Sequence, residues 1–398
     1  MPVAESIVDD GPTGPIDRKN LRLTHVSFTN WRNFTKLDTE IQQTMFLVGP
    51  NASGKSNFLD SFRFLSEMVS VGGGFEAAIA RRGGVSMIRS LAARKNPVVS
   101  ISISLGTSES PREWEYELEF RQDNQRRPKI EHERVRYRSE LKLNRPDKDD
   151  ELDPERLRQT GLEQVNVNKG FRVVADVLAT VRYMHIVPQL VREPDRSVGR
   201  SNDPFGGDFL ELIARTPKRN RESRLRRIIS ALRVAVPQLQ ELELQSDTAG
   251  VPHLRGKYKH WRPQGAWQNE EHFSDGTLRL MGLLWAVTES SGPLLLEEPE
   301  LSLHPEVVRH IPQMFRRVQR RAGRQIIVSS HSPDLLNDPG IGNDEVILLT
   351  TGNEGTSAQL LSRNPKAVSM RSAGIELAEI LRNMTAPEDA DQLTLFAS

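Results

Sequence analysis

Gly49-Pro50-Asn51-Ala52-Ser53-Gly54-Lys55-Ser56 sets two glycines, a lysine and a hydroxyl at the spacing G-x-x-x-x-G-K-[ST], the pattern of a phosphate-binding loop. At ordinary residue usage about one chain in a hundred of this length carries it by accident. The flanks strengthen the reading. Met45-Phe46-Leu47-Val48 is an apolar run suited to a buried strand, and Ser56 to Met68 (SNFLDSFRFLSEM) spaces Phe58, Leu59, Phe62, Leu65 and Met68 along one helix face. Strand, loop and helix are the order the chemistry needs. Glycines let backbone N–H groups turn inward around a phosphate, and the helix presents its positive dipole end. Lys55 is expected to reach the β- and γ-phosphates of a nucleotide, and the Ser56 hydroxyl to ligate Mg²⁺. The plain alternative is a Gly-rich turn opening an ordinary helix.

The rest of the composition sets limits. At 398 residues, 37% hydrophobic and 27% charged, the chain can bury a sizeable core in two or three domains or one composite domain. No apolar run approaches the ~20 residues of a membrane span. The N-terminus, MPVAESIVDDGPTGPIDRKN, lacks the basic-then-apolar form of a signal peptide. The absence of cysteine rules out disulfides and thiolate metal sites and fits a cytoplasmic protein. A net charge of +1 means that any affinity for nucleic acid must come from a local patch.

Along the chain, Leu21 to Phe28 alternates as a strand and leads into Asn30-Trp31-Arg32-Asn33-Phe34. Val98–Leu105, Trp114–Arg121 and Glu133–Leu143 read as three strands of an antiparallel meander. Residues 144–158 are strongly charged, Tyr183–Val187 is a short strand, and 205–234 reads as two helices parted at Pro217. From Phe273 onward helix and strand alternate: a helix over Gly276–Val287, a strand over Leu294–Leu296, a basic helix over Glu306–Arg321, then strands at Gln325–Ser330 and Glu345–Leu349. Alternation at both ends implies one open α/β sheet assembled from the two ends of the chain.

Three further segments carry chemistry. Leu294-Leu295-Leu296-Glu297-Glu298-Pro299-Glu300 ends a buried strand in two carboxylates, at the edge where open α/β sheets bind ligands. One acid suits a Mg²⁺ shell and the next suits an attacking water. Phe273-Ser274-Asp275-Gly276-Thr277 opens an apolar helix. It is either simple capping by Ser274 or Asp275, or an anion site made of backbone donors and a helix N-terminus. Ser329-Ser330-His331-Ser332-Pro333 follows a strand and offers His331 as a donor to a γ-phosphate.

Taken in order, FTNWRNF, GPNASGKSNFLD, FSDGTLRLMGLL, LLLEEPELSLHP and IIVSSHSP resemble the ATPase head shared by ABC proteins, SMC proteins, RecF and OLD-type nucleases. The resemblance is strongest to the RecF/OLD-like ATPases of bacterial DNA-repair and phage-defence loci. It covers residues 20–90 and 270–350 well and the middle loosely. It implies an α/β fold: an ABC-type ATPase head with a mixed sheet around the P-loop, an antiparallel β meander and a helical insertion. The expected divisions are a flexible lead-in at 1–20, an N-terminal lobe at 21–143 and a charged, helical insertion at 144–265. A C-terminal lobe at 266–386 and a tail at 387–398 complete them. By the resemblance, Gly49, Asn51, Ala52, Ser53, Gly54, Lys55, Ser56 and Asn57 hold ATP. Glu297 with Ser56 holds Mg²⁺, Glu298 and Lys55 are catalytic, and His331 is the switch histidine. Ser274 and Gly276 contact the ATP of a second subunit, and Arg32 lies near the nucleotide. Position 297 is Glu where many relatives have Asp, so which acid does which job stays open. Glu300 and His304 fall in the loop that crosses the dimer interface in relatives.

The expected output is a switch: ATP favours a closed homodimer or higher oligomer, and hydrolysis releases it. The middle lacks the sustained heptads of SMC arms, and the 67 residues after His331 are too few for an OLD-type nuclease domain. Asp389 and Asp391 look like a D-x-D only superficially. Arg215 to Arg227 is strongly basic, and Arg219, Arg221, Arg224 and Arg226 are either a solvated helix face or contacts to a DNA or RNA backbone. Arg316, Arg317, Arg320, Arg321 and Arg324 form a second cluster at a helix C-terminus. Three readings stand. One is an ATP-switched dimer acting on DNA or controlling a separate effector such as a nuclease, in repair or phage defence. Another is an ATP-gated DNA clamp with slow turnover. The third, the ATPase subunit of a transporter, is opposed by NWRNF, LSLHP and the SDGT signature.

Overall fold

The structure is a computed structural model that describes residues 21–193, 203–261, 265–289, 292–387 and 392. The lead-in at 1–20 and nearly all of the tail lie outside the described residues. The chain divides into two compact units, each assembled from separated stretches.

The first unit comprises the residues up to Ile41, Asp60–Val181 and Thr351–Ala358. Its sheet holds β1 (Arg22–Trp31), β2 (Phe34–Glu40), β4 (Val99–Gly106), β5 (Trp114–Gln122), β6 (Pro128–Tyr137) and β7 (Glu140–Arg145) in the order β2-β1-β4-β5-β6-β7. Every neighbouring pair is antiparallel, which is the expected meander extended by one hairpin. The alternation in VVSISISL and WEYELEFR puts Ile101, Ile103, Trp114, Tyr116, Leu118 and Phe120 on buried positions. Glu133–Leu143, read from sequence as one strand, is a hairpin. Arg138 and Ser139 turn it with φ of 47° and 74°, the left-handed pair of a tight type I′ turn. Without Gly or Asn there, the sequence carried no turn signal.

The second unit comprises Gln42–Leu59, Arg182–Thr350 and Gln359–Ser398. Its main sheet includes β3 (Thr44–Val48), β8 (Arg182–Met184), β12 (Leu294–Glu297), β13 (Ile326–Ser329) and β14 (Val346–Gly352) in the order β14-β3-β13-β12-β8. The pairs β8/β12, β12/β13, β13/β3 and β3/β14 are parallel. These strands read as continuous apolar runs because such a sheet is buried on both faces: Met45, Leu47, Leu294, Leu295, Ile326 and Ile327 are fully buried.

A second sheet, unforeseen from sequence, occupies 239–269: β9 (Leu239–Ser246), β10 (Pro252–Tyr258) and β11 (Ala266–Asn269), antiparallel in the order β11-β10-β9. The two expected helices before it run Phe209–Arg215 and Lys218–Ala235. The apolar helix Asp275–Glu289 packs against the longer one, where Arg224 lies over Trp285, and both bury residues in one shared core. The basic helix expected over Glu306–Arg321 is two pieces, Pro305–Val308 and Ile311–Ala322. Pro312 near the start of the second lacks the N–H that an unbroken helix would need there.

Candidate functional site

Register builds the site. In the parallel sheet Leu47 lies opposite Ser329, and Ser329 lies opposite Glu297. The loop after β3, the acids ending β12 and the Ser330–Ser332 turn after β13 therefore emerge at one carboxyl edge, where such sheets bind ligands.

The loop itself is wound tightly. A Cβ on Gly49 would stand 2.5 Å from Ser53 Oγ and 2.7 Å from the Leu349 carbonyl oxygen, so only glycine fits. Ala52 and Gly54 have φ of 61° and 93°, which turns the backbone back on itself before the helix Lys55–Val69. Asn51, Ala52 and Ser56 are exposed while Ser53 and Lys55 are buried. Lys55 Nζ donates to the carbonyls of Gly49 at 2.9 Å and Pro50 at 3.1 Å. Burial draws the Lys55 pKa below its ordinary value, against the pull of Glu298, Glu297 and Glu300. The helix is buried at Phe58, Leu59, Ser61, Phe62, Phe64 and Leu65, more than a single stripe, which fixes the loop on a rigid support.

The two acids part company. Glu297 Oε1 accepts the Ser56 hydroxyl. Its other oxygen accepts the Tyr183 hydroxyl, and its carbonyl lies 3.1 Å from His185 Nδ1. Glu298 Oε1 lies 3.1 Å from His331 Nδ1. The Glu298 backbone is in the left-handed region, φ 44°, and its N–H donates to the Ser329 carbonyl at 3.0 Å. A non-glycine residue there costs of order 1–3 kcal/mol and is found where function demands it. Sequence reasoning missed Tyr183 and His185. Their signal, β8 pairing Met184 with Leu296, exists only in three dimensions.

Ser274 Oγ accepts from the Thr277 N–H at 3.2 Å and lies 2.8 Å from the Thr277 hydroxyl, the capping geometry. Arg192 holds Asp275 at 2.6 Å and the Phe273 carbonyl at 2.7 Å. A Cβ on Gly276 would come within 2.5 Å of the Ser302 carbonyl oxygen, so the helix start rests directly on the loop that follows Glu300. His304 caps the next helix through Nδ1, 3.2 Å from the Glu306 N–H.

Arg32 belongs to the first unit, with φ 54°. Its Nη1 donates to the Met87 carbonyl at 2.9 Å, and its Nη2 lies 3.6 Å from Asp60. Of the basic quartet, Arg219 and Arg226 are exposed. Arg221 donates to the Ala214 carbonyl. Arg224 donates to the Glu289 carbonyl and stacks 5.3 Å over the Trp285 ring. Arg324, in the second basic cluster, is fully buried; burial lowers its pKa to about 10, and its guanidinium donates to the carbonyls of Gly292 and Ala286.

The donor set fits a nucleotide phosphate chain with a hard divalent cation. Backbone N–H groups and an ammonium suit phosphate, while a hydroxyl beside a carboxylate suits Mg²⁺. A parallel sheet with that cradle and those acids at one edge defines an ABC/SMC-class P-loop ATPase. The chain belongs to the family described as "AAA domain, putative AbiEii toxin, Type IV TA system", whose profile matches residues 45–337. It is 28% identical over 131 residues to the methionine import ATP-binding protein MetN of Leifsonia xyli subsp. xyli (strain CTCB07), covering 32% of this chain and 36% of that one. It is 29% identical over 126 residues to MetN 2 of Rhodococcus jostii (strain RHA1), covering 31% and 35%. The match thus spans about a third of these relatives' length. Among solved structures, an SMC head bound to the C-winged helix domain of ScpA superposes with a TM-score of 0.52 at 13% identity, over 87% of this chain and 99% of that chain. That likeness is one of fold. Among the described residues, no helix is long and apolar enough to cross a membrane.

Proposed function

We propose that this chain is an ATP-hydrolysing switch. Two copies close around nucleotide, and the closed form acts on DNA or controls a separate effector. The carrying observation is that one sheet edge joins Ser56 to Glu297 and Glu298 to His331, beside a loop wound for phosphate. Gly49 and residues 51–57 cradle the phosphates. Lys55 exchanges its two loop carbonyls for phosphate oxygens. Ser56 and Glu297 would hold Mg²⁺, which would offset phosphate charge. Glu298 accepts the proton of the attacking water, held in place by His331. Tyr183 keeps Glu297 turned toward Ser56.

Ser274 and Gly276 present a helix N-terminus to the nucleotide of the second copy. Arg192 neutralises Asp275 there, so the positive dipole end is not cancelled by its own acid. Arg32 near the nucleotide rests on the resemblance alone; its own partners are Met87 and Asp60. Arg219 and Arg226, exposed with Lys218, Arg227 and Arg233, are the cations left to meet a nucleic-acid backbone. The family's description names a putative toxin of a toxin–antitoxin system, which supports a defence setting. The importer relatives share too little length for their cargo to be carried over.

The test is Glu298→Gln, weighed in solution with and without ATP–Mg²⁺ and duplex DNA. Expected are retained nucleotide binding, turnover lower by about 10²–10⁴-fold, and a mass that doubles only with ATP. DNA retained by the doubled species would favour the slow clamp form of this reading. A mass indifferent to ATP sinks the sandwich. If Glu297→Gln stalls in this way and Glu298→Gln does not, the two acids exchange roles.

A further inference from the structure

A third acid stands beside this pair. Glu300 is 7% exposed. Its Oε1 accepts the Ser330 hydroxyl, while its Oε2 is buried without a hydrogen-bond partner. Burial pushes the Glu300 carboxyl above the usual range and Glu298 adds to the push, while the Ser330 hydrogen bond, the residue's own backbone N–H and His331 oppose it. An acid kept in so unfavourable a place needs a reason, since each buried unpaired polar atom is costly.

Ser330 is the pivot. Its backbone N–H donates to the Leu47 carbonyl at 3.1 Å, tying it to β3 one residue before that strand ends. Its hydroxyl accepts from the Ser332 N–H at 3.0 Å while donating to Glu300. His331 stands between these two serines, so the turn that carries it is fastened on either side. The fastening acid comes from the same loop as Glu298. That loop is also joined to the end of β13 through the Glu298 N–H and the Ser329 carbonyl. The Glu298–His331 distance is therefore a property of two loops, and a backbone bond and the Glu300–Ser330 contact both join them.

We propose that Glu300 and Ser330 form a buried latch that sets the Glu298–His331 pair, both acting as positioning residues. Its consequence for turnover rests on the hydrolysis reading above; its effect on the His331 ring does not. What the latch needs from Glu300 is an acceptor oxygen, which glutamine also supplies.

The experiment uses the full chain with ¹⁵N-histidine, the His331 ring signals being assigned by their loss in His331→Gln. Ser330→Ala is expected to move the His331 Nδ1 resonance toward that of a free surface imidazole. Glu300→Gln is expected to leave it near wild type. In turnover, Ser330→Ala and Glu300→Ala should lower kcat by about 10- to 100-fold, as loss of outer-shell partners does. Their Kd for ATP should stay within about threefold, and Glu300→Gln should retain most of the rate. An unmoved His331 signal in Ser330→Ala overturns the latch, whatever the ATPase activity. So does a Glu300→Gln protein as slow as Glu300→Ala, because the charge of Glu300 and not its hydrogen bond would then matter. A wild-type protein that fails to hydrolyse ATP refutes the function instead, and the ring signal still judges the latch.

Discussion

Two clusters gather carboxylates around a buried cation, and they are finished in opposite ways. In the first unit, Arg145 holds Asp150 through Nε at 2.9 Å and Nη2 at 2.8 Å. It also holds Glu133 at 3.2 Å and the carbonyls of Gln159 and Arg156 at 2.7 and 2.9 Å. Glu133 further accepts the N–H groups of Gly161 at 2.7 Å and Leu162 at 3.1 Å and the Tyr116 hydroxyl at 3.2 Å. Burial pushes the Tyr116 pKa well up, so that hydroxyl keeps its proton and donates. In the second unit, Lys55 feels Glu298, Glu297 and Glu300 but bonds its own loop. Glu298 sits on a left-handed backbone, and Glu300 leaves an oxygen bare. A cluster whose valences are filled from within holds a fold together. One that keeps an oxygen unpaired and a non-glycine residue on a left-handed backbone fits the nucleotide site proposed above.

The comparison can be broken at its strongest point first. Arg145→Ala strands Glu133 and Asp150 without a cation, and should cost about 3–5 kcal/mol of stability. Denaturant titration measures this, with nucleotide affinity per folded molecule unchanged. A small loss would mean that the knot is not structural. Lys55→Ala should do the reverse. Turnover should fall by on the order of 10²–10³-fold and nucleotide affinity with it, in calorimetry, while the melting temperature holds or rises because a buried charge has been removed. Hydrolysis at the wild-type rate would end the phosphate-loop assignment.

The smallest effect sharpens the contrast within the second unit. His253 on β10 lies 2.7 Å from Glu270, a fully buried acid that also accepts the Leu254 N–H at 2.7 Å. The Glu270 hydrogen bond, aided by the charges of Glu270 and Asp247, raises the His253 pKa. A raised folded-state pKa gives stability that is fully present below the unfolded value and is lost as pH rises through the folded one. His253→Gln should therefore lower stability by about 1 kcal/mol or less near pH 6. The wild-type and variant curves should converge as the solution becomes alkaline. Parallel curves would show that the proton is not involved.

The meander was legible because alternation at period two needs only neighbours along the chain. The turn at Arg138-Ser139 was not, since neither residue announces a left-handed backbone. The break before Ile311 was missed because Arg309-His310 looks helical and only Pro312 hints otherwise. The basic quartet shows the limit of composition. Arg219 and Arg226 face solvent as a charge run suggests, but Arg224 lies over Trp285, and which side of a helix a ring occupies is a matter of packing.

By itself the sequence determined where the loop, the acid pair and the histidine stand in the chain, because the roles proposed for them need particular side chains at fixed spacing within one short segment. Tertiary structure alone decided the partnerships. Ser56 meets Glu297 across 241 residues, Tyr183 turns Glu297, His331 faces Glu298, and Ser330 closes on Glu300. Those meetings depend on which strands lie side by side and in what register. That choice is made by burying the whole sheet at once, and no single segment encodes it.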